Sequence, residues 1–288
     1  MAVSARLIRR RIKSVGNTKK ITKAMELVSA AKMRRAVTLA TSARRYASLG
    51  NELLGRLSEL GAGSDHPFFR RAAARTKKTL CVVIASDRGL CGSYNVALLR
   101  ALEAAMSKQP GVEYVAVGRQ AELSLRRTGK KIIASFPGLT DTPRAAAVRP
   151  LVSLVRSEFV SGVYDQVFVA ATHFRSALRQ EPLVSRLLPL APTAEAKPWQ
   201  GAADALFEPS PTVVLEYVLP RFIEASVYQA ILEAAASEHS SRMMSMRNAT
   251  DAAGEMMEGL TFTLNQARQS AITSEIAEIS AGRAALEG

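Results

Sequence analysis

The part of the chain that comes closest to a chemical site is Ser86–Asn95, SDRGLCGSYN, which follows an apolar run. Gly89 and Gly92 could let the backbone approach a phosphate group, and Cys91 could act as a nucleophile near a helix start, where thiol pKa values can fall. The segment has neither the G-x-G-x-x-G spacing of dinucleotide sites nor the lysine of a phosphate-binding loop. We therefore interpret it as a tight turn after a strand.

Other candidates for catalysis or metal binding are scattered along the chain. The three histidines, His66, His173 and His239, fall in separate regions, and the spacing of Cys81 and Cys91 matches no zinc pattern. No two carboxylates stand at a spacing that suggests acid and base catalysis. The sequence therefore predicts no active site, no metal site and no cofactor.

The distribution of proline indicates which elements hold these residues. All twelve prolines lie between Pro67 and Pro220. A proline inside a helix costs about 3 kcal/mol, so long ends without proline favour long helices. We predict an N-terminal coiled-coil helix at residues 1–66, a central globular domain at residues 67–211 and a C-terminal coiled-coil helix at residues 212–288.

The C-terminal stretch carries a heptad seam, in which small or apolar side chains alternate at steps of three and four residues. Such a seam lines one narrow face of a helix and indicates a partner helix. Its positions are Val218, Phe222, Ala225, Gln229, Leu232, Ala236, His239, Met243, Met246, Thr250, Ala253, Met257, Leu260, Leu264, Ala267 and Ala271.

The N-terminal stretch is less regular, and we predict that it is the partner in an antiparallel coiled coil. Its apolar positions fall into three runs. They are Ile8, Ile12 and Val15; Ile21, Met25 and Val28; and Leu39, Tyr46, Leu53, Leu57 and Leu60.

The middle of the chain alternates short apolar runs with helical patterns. Strands are predicted at Thr79–Ala85, Val112–Gly118, Lys131–Phe136 and Gln166–Ala171, with helices at Asn95–Lys108, Gln120–Thr128 and Ala145–Val160. Such alternation is typical of an α/β fold, a mostly parallel Rossmann-like sheet with helices on both faces. The proline-rich segment Leu187–Pro211 is predicted to be a loop.

The net charge of +14 is unevenly distributed. Residues 1–60 hold 14 basic and 3 acidic residues, a net charge of +11, whereas residues 61–209 carry +8 and residues 210–288 carry −5. Part of the charge should therefore be matched across the coiled coil. The basic helix could also bind nucleic acid or an acidic protein surface.

Four segments resemble the γ subunit of F-type ATP synthases, in that family's order. They are IKSVGNTKKITKAMELVSAAK at Ile12–Lys32, the SDRGLCGSYN turn, SSRMMSMRNATDAAGEM at Ser240–Met256 and NQARQSAITSEIAEI at Asn265–Ile279. The resemblance implies the central rotary stalk, a subunit without catalytic residues. Its rotation inside a hexamer of α and β subunits would couple proton translocation through the membrane ring to ATP synthesis or hydrolysis on β.

The same resemblance implies partners and contact residues. The partners would be the α and β subunits, the ε subunit and the c-subunit ring, with no nucleic acid and with membrane attachment only through partners, at the cytoplasmic face of the bacterial plasma membrane. The acidic loops of β would meet Lys23, Met25, Arg242, Arg268, Gln269, Thr273 and Glu275, and Glu208 would approach the ring.

Two alternatives remain open from the residues themselves. One is a basic coiled-coil protein that binds nucleic acid, suggested by the charge of the first helix. The other is a Rossmann-like enzyme, suggested by the alternation of strands and helices.

Overall fold

The structure, a computed structural model, describes residues 5–59, 66–69, 78–190, 208 and 210–287. The chain forms two compact units. Unit 1 consists of Met1–Ser29 and Met243–Gly288, and unit 2 consists of Ala30–Arg242. The division into three segments at residues 66 and 211 stays a prediction.

The described elements are five helices, five strands and one short 3-10 helix at Pro67–Phe69. In chain order they are α1 (Ala5–Glu59), β1 (Thr79–Ile84), α2 (Tyr94–Met106), β2 (Val112–Val117), α3 (Arg119–Arg127), β3 (Ile132–Phe136), α4 (Ala145–Val160), β4 (Gln166–Phe174), β5 (Gln180–Leu188) and α5 (Pro211–Glu287).

Unit 2 is built on a five-stranded sheet with the order β3-β2-β1-β4-β5. The first four strands are parallel, and β5 is antiparallel to β4. Apolar side chains alternate between the two faces of the central strand β1, so that Val82 and Val83 belong to different cores. These findings confirm the predicted α/β fold with long N-terminal and C-terminal helices.

The two faces of the sheet are covered by different helices. On one face, β1 and β4 pack against α4 and α5, with Leu151 and Ile223 among the fully buried side chains. On the other face, β1 and β2 pack against α2 and α3, with Leu98 and Leu125 in the core. Helices on both faces bury the parallel strands, which explains their near-continuous apolar sequences.

Strand β5 was not predicted. Its sequence, QEPLVSRLL, mixes polar and charged residues with apolar ones, because it lies at an edge of the sheet and its middle residues are largely exposed. The predicted loop Leu187–Pro211 begins inside this strand, which ends at Leu188. Residues 191–207 and 209 of that loop lie outside the described residues.

Within unit 2, α5 does not use a narrow seam. Every residue from Ile231 to Ser240 is buried, including positions away from the predicted heptad pattern. The reason is that this part of α5 packs on the sheet core through Ile231 and Ala234 and also on α1, where Ala36 meets Ala235 and Ala236. Each side chain of a helix that is buried on all sides must be apolar or must find a hydrogen-bond partner within the protein.

Unit 1 contains an antiparallel pair of helical segments from α1 and α5. The hydroxyl of Thr250 lies 2.8 Å from the hydroxyl of Thr22. Earlier on α1, Gly16 lies opposite Met257, whose side chain would be 3.7 Å from a Cβ at the glycine. Because the α5 partner moves forward as the α1 residue moves backward, the two segments run in opposite directions, as predicted.

In unit 1 the predicted seam of α5 is confirmed over most of its length. Met246, Thr250 and Ala253 are buried, and further along the seam positions Met257, Leu260, Leu264 and Ala267 are half-buried while the residues between them are exposed. The last predicted position, Ala271, is exposed, so the seam ends one step earlier than predicted.

The predicted seam of α1 is correct at its beginning and at Met25 and Leu53, but not in between. Ile8 is buried and Ile12 and Val15 are half-buried, but Ile21, Val28, Leu39 and Tyr46 are exposed. The buried positions are instead the small or polar residues Thr22, Ser29, Ala36 and Ala40. Leu53 is half-buried, and the side chains of Leu57 and Leu60 lie outside the described residues. The apolar pattern failed because close helix packing selects small side chains.

None of the described helices contains an apolar stretch that is long enough to cross a membrane.

The threonine pair of unit 1 should fix the register of the two helices. A Thr250→Val substitution removes the 2.8 Å bond between the two buried hydroxyls, while the Thr22 hydroxyl keeps the Lys19 carbonyl at 3.1 Å, so we expect a loss of about 0.5–1.5 kcal/mol in the free energy of unfolding. The double variant T22V/T250V should lose less stability than the sum of the single variants Thr22→Val and Thr250→Val, since each single variant already removes the bond between the hydroxyls. Chemical denaturation measures both.

The matched control is Thr18→Val, because Thr18 is exposed and its hydroxyl bonds only to the Ser14 carbonyl of its own helix. A double variant that loses as much stability as the sum of the two single variants would contradict the proposed role of the pair.

Candidate functional site

The carboxyl edge of the sheet is where an open α/β fold usually binds a ligand, at the point where the strand order reverses. In unit 2 that point lies between β1 and β4, which are neighbours in the sheet. Here α5 occupies the position. The Ser237 hydroxyl donates to the Thr172 carbonyl on β4 at 3.3 Å, and the Tyr94 hydroxyl donates to the Ala234 carbonyl at 3.2 Å. The crevice of a nucleotide-binding domain is therefore filled by the chain's own helix.

The segment Ser86–Asn95 is a structured turn, as the sequence indicated. The Ser86 amide donates to the Asn95 side-chain carbonyl at 3.2 Å, and the Asn95 amide group lies 3.3 Å from the sulfur of Cys91. Burial raises the pKa of the Cys91 thiol. A buried thiol of raised pKa is a poor nucleophile, which weighs against the catalytic interpretation of Cys91.

A polar cluster with a buried centre and a partly exposed edge includes Asp87 of this turn. Its members are Lys32, Asp87, Thr140, Asp141, Glu238, His239 and Arg242. Its centre is the ion pair between Arg242 and Glu238, in which Nη2 lies 2.7 Å from Oε1. The side chains of the two residues are 8% and 2% exposed. Removing one partner from such a pair would leave an uncompensated buried charge.

Asp87 ties the loops of the carboxyl edge together. Its carboxylate accepts hydrogen bonds from the Arg119 amide at 3.2 Å, the Gly138 amide at 2.8 Å and the Thr140 hydroxyl at 3.0 Å. These three donors follow β2 and β3, whereas Asp87 follows β1. One carboxylate thus joins the ends of three neighbouring strands.

Helix α1 reaches the cluster through Lys32. Its Nζ lies 2.6 Å from Oδ1 of Asp141, and this hydrogen bond holds the pKa of Asp141 below its usual range. The polar cluster therefore contains side chains of α1, of α5 and of the loops after β1 and β3.

The protonation of the cluster depends on burial. Burial raises the pKa of Glu238, although Arg242 opposes this effect, and Oε2 of Glu238 has no hydrogen-bond partner among the described residues. Burial, together with the positive charges of Arg242 and Lys32, lowers the pKa of His239 to about 4. His239 is therefore neutral at pH 7, and its Nδ1 lies 3.3 Å from Nη1 of Arg242, where it can accept a hydrogen bond.

A second group of charges surrounds Glu233 of α5. Its carboxylate lies 2.8 Å from Nη2 of Arg44, 2.7 Å from the Gln229 amide nitrogen and 2.8 Å from Nδ1 of His173. Burial alone would raise the pKa of Glu233, but the bonds from His173, Arg44 and Gln229 outweigh it and lower the pKa to about 2. Arg44 is on α1 and His173 is on β4, so Glu233 connects three elements.

Glu233 and Glu238 were not predicted as structural centres. The signal was present, because two glutamates stand in the otherwise small and apolar stretch ILEAAASEHSS. A charged residue in a helix that is buried on all sides must be paired.

Six of the predicted contact residues lie in unit 1. Lys23 is exposed and pairs with Glu26 at 2.9 Å, while Met25 is half-buried. On α5, the residues Arg268, Gln269, Thr273 and Glu275 are all exposed. Because Thr22 faces Thr250, the two groups are separated along α5 by roughly 30 Å at 1.5 Å per residue. They form two separate surfaces and not one site.

The other two predicted residues lie in unit 2. Glu208 is exposed shortly before α5 begins, and its contact with the ring stays a prediction. Arg242 is buried, and its guanidinium group is bonded to Glu238 and to the carbonyls of Arg88 and Gly89. This position does not support the direct contact with a partner loop that was predicted for it.

The basic face of unit 1 has little compensation within the chain. Its lysines and arginines are exposed, and among the described side chains no ion pair joins them to the acidic residues of α5. The expected matching of charge across the coiled coil is therefore not observed in unit 1. These residues are Arg6, Arg9, Arg10, Arg11, Lys13, Lys19, Lys20 and Lys23.

Large apolar side chains are also exposed in unit 1. On α5 they include Ile272, Ile276 and Ile279, which follow each other at steps of four and three residues and so share one face of the helix. Exposed apolar side chains gathered on one face mark a surface that binds other molecules. Among the described residues, no group of histidines, cysteines and carboxylates is arranged to hold a metal ion.

The fold defines a class of protein in which a long helical pair is combined with a doubly wound α/β domain. A sequence model of the ATP synthase family matches residues 4–286. The chain is 42% identical to the ATP synthase gamma chain of Moorella thermoacetica over 281 residues, which cover 97% of this chain and 98% of that one. It is 44% identical to that of Herpetosiphon aurantiacus over 296 residues, covering 98% and 99%.

Solved structures agree with these relatives. A chain of the central stalk and c-ring of the Tetrahymena thermophila mitochondrial ATP synthase is similar with a TM-score of 0.61 and 27% identity, covering 80% of this chain and 99% of that chain. A chain of the Euglena gracilis mitochondrial enzyme shares the fold, with a TM-score of 0.69 and 17% identity over 98% of this chain and 94% of that chain. The chain belongs to the ATP synthase gamma chain family. The comparisons support this assignment and not the nucleic-acid alternative.

The neutral state of buried His239 should make the stability of the chain depend on pH. The folded-state pKa is about 4 and the unfolded value is about 6.5, so the unfolded state binds more protons between these values. This contribution is fully present above pH 6.5 and is lost as the pH falls toward 4. It amounts to as much as about 3 kcal/mol.

A His239→Gln variant should lose this component, which denaturant titrations at a series of pH values between 4 and 7 would measure. His66→Gln is the control, because His66 is half-buried and should contribute less. An unchanged pH slope in the His239 variant would show that the histidine is not held neutral.

Proposed function

We propose that the chain is the central stalk of an F-type ATP synthase and that it takes part in catalysis without catalytic residues of its own. Rotation of the stalk inside a hexamer of α and β subunits would couple proton translocation through the membrane ring to ATP synthesis or hydrolysis on β. The observation that carries the proposal is the exposed surface of unit 1, which joins basic and large apolar side chains along two paired helices.

The charge of that surface fits an acidic partner. The α1 part of unit 1 exposes eight lysines and arginines that make no described ion pair with α5. Opposite charge across an interface orients the partners and speeds their encounter more than it increases affinity. Acidic loops of the β subunits meet this requirement, and a rotating shaft needs contacts that form and break.

The apolar residues fit the same role. Ile272, Ile276 and Ile279 would be covered by the bore of the hexamer, which explains why an otherwise well-packed protein leaves them exposed. The exposed polar residues beside them, Arg268, Gln269, Thr273 and Glu275, would meet the β subunits, as would Lys23 and Met25 about 30 Å away along the helices.

The α/β domain supports a role in docking and not in nucleotide chemistry. At the carboxyl edge between β1 and β4, where such a fold usually binds a dinucleotide, the domain is instead bonded to α5. We propose that this domain meets the ε subunit and the c-subunit ring, with Glu208 near the ring. The protein would then be peripheral, at the cytoplasmic face of a bacterial plasma membrane and attached through its partners.

Assembly tests the proposed function directly. The full chain should co-purify with the α and β subunits of its synthase as one copy for three α and three β subunits, which native mass spectrometry measures. The chain alone should not hydrolyse ATP. Failure to join a preformed α and β hexamer would overturn the proposal.

The contact residues of α5 can be tested in the assembled complex. A triple variant, Arg268→Ala with Gln269→Ala and Thr273→Ala, should reduce ATP-driven proton pumping several-fold while one copy per hexamer is retained, because each exposed polar contact contributes about 0.5–1.5 kcal/mol. Pumping in inverted membrane vesicles is compared with ATP hydrolysis.

The control is the double variant Thr261→Ala and Thr263→Ala. Both threonines are exposed on the same helix, and both bond to carbonyls four residues earlier, as Thr273 does. Equal pumping by the triple variant and the control would remove the assignment of these residues to the β contact.

A further inference from the structure

Three backbone carbonyls of the turn after β1 are held by two consecutive residues of α5. Arg242 donates from Nε to the Gly89 carbonyl at 3.2 Å and from Nη2 to the Arg88 carbonyl at 3.0 Å. The Ser241 hydroxyl donates to the Cys91 carbonyl at 2.7 Å. The turn and the helix are about 150 residues apart in sequence, and these bonds fasten one to the other.

The residue between the held carbonyls has an unusual conformation. Leu90 has a φ of 62°, and among the described residues it is the one with a left-handed backbone that is not glycine. Its side chain is 64% exposed, so it gains little from packing. A bulky residue stays in this region only where its surroundings impose the conformation. The bonds to Gly89 and Cys91 act on both sides of Leu90.

Four of the five N–H donors of the Arg242 guanidinium group are directed at acceptors within the fold. Besides the two carbonyls it contacts Oε1 of Glu238 at 2.7 Å and Nδ1 of His239 at 3.3 Å, and the side chain is 8% exposed. The planar fork of arginine can hold several acceptors at fixed angles, whereas a lysine in its place offers a single charged nitrogen.

We propose that Arg242 is a positioning residue, which fixes the turn Arg88–Cys91 to α5 and imposes the left-handed conformation of Leu90, instead of contacting a partner subunit itself. The α/β domain and the helix would then move as one body at this point. The contacts of Arg242 lie within unit 2 and do not depend on the proposed function. Only the consequence for movement, that the domain and the helix move as one body, rests on it.

Trypsin provides the first measurement, on the purified full chain without partners. The bond after the exposed Arg88 is a cleavage site whose carbonyl Arg242 holds. Arg242→Lys keeps a positive charge beside Glu238 and so protects the fold, but it loses the fork. We expect cleavage after Arg88 to be at least about fivefold faster, since cleavage of a folded protein follows the local opening equilibrium.

Arg247→Lys is the matched control, because Arg247 is an exposed arginine on the same helix. It should leave the rate of cleavage after Arg88 unchanged. An unchanged rate in the Arg242→Lys variant would overturn the proposal.

A double-mutant cycle with Leu90→Gly separates the effect of Arg242 on the conformation of Leu90 from its ion pair with Glu238. Glycine adopts the left-handed conformation without support, so Arg242→Lys should lower the midpoint of denaturation less in the Leu90→Gly background than in the wild-type background. Equal shifts in the two backgrounds would mean that Arg242 serves only as a partner of Glu238, and would overturn the proposal.

Both measurements use the isolated chain, so their outcome does not depend on whether it assembles with α and β subunits. If the chain fails to join the hexamer while the trypsin and cycle results hold, the proposed function is wrong and the role of Arg242 stands. If the chain joins the hexamer but the trypsin and cycle results fail, the stalk assignment stands and the positioning role of Arg242 is wrong.

Discussion

Ten consecutive residues of α5, Ile231–Ser240, are buried on every side, and the rest of unit 2 is arranged around them. The sheet covers one side of this segment and α1 covers another, where Ala36 packs against Ala235 and Ala236. Because the segment contains two glutamates and a histidine, its burial requires partners for each of them. Arg44, His173 and Gln229 meet Glu233, and Arg242 meets Glu238.

The same burial removes the feature that makes a doubly wound sheet a nucleotide-binding domain. Fold does not decide function, and the site has to be judged by its own residues. Here the carboxyl edge of β1 and β4 is met by Ser237 and by the turn that Arg242 and Ser241 hold. Polar groups that would face a cofactor in an enzyme of this architecture are instead bonded to α5. This edge of the sheet therefore holds α5 against the α/β domain.

The two units differ in the burial and pairing of their charged side chains. In unit 2 the ion pairs Lys32–Asp141 and Arg44–Glu233 connect α1 to other elements, and the buried pair Arg242–Glu238 lies within α5. In the described part of unit 1, the lysines and arginines of α1 face solvent without such partners on α5. Charges of the first kind stabilise the fold, and charges of the second kind are available to other subunits.

Much of the fold followed from the sequence because it depends on local patterns. The absence of proline from residues 1–66 and 221–288 predicted α1 and most of α5, which itself contains Pro211 and Pro220. The alternation of apolar runs predicted β1 to β4 within a few residues. The heptad positions from Met246 to Ala267 also proved correct, because in unit 1 a helix pair buries a single stripe on each partner. Strand β5 was missed, since an edge strand carries polar residues. On α1, Ile21, Val28 and Leu39 were each placed one residue before a buried position.

The candidate site depends on contacts between residues that are far apart in sequence. Those contacts could not be predicted from the sequence. Composition and motifs by themselves determined the family resemblance, the long helices, the lack of a recognisable phosphate motif and the basic character of α1. Only the tertiary structure decided that α5 fills the crevice of the sheet, that Thr22 and not Ile21 faces the partner helix, and that Arg242 points into the fold. The physical reason is that periodicity records which side of an element is buried, whereas the partner of a buried charge is set by packing in three dimensions.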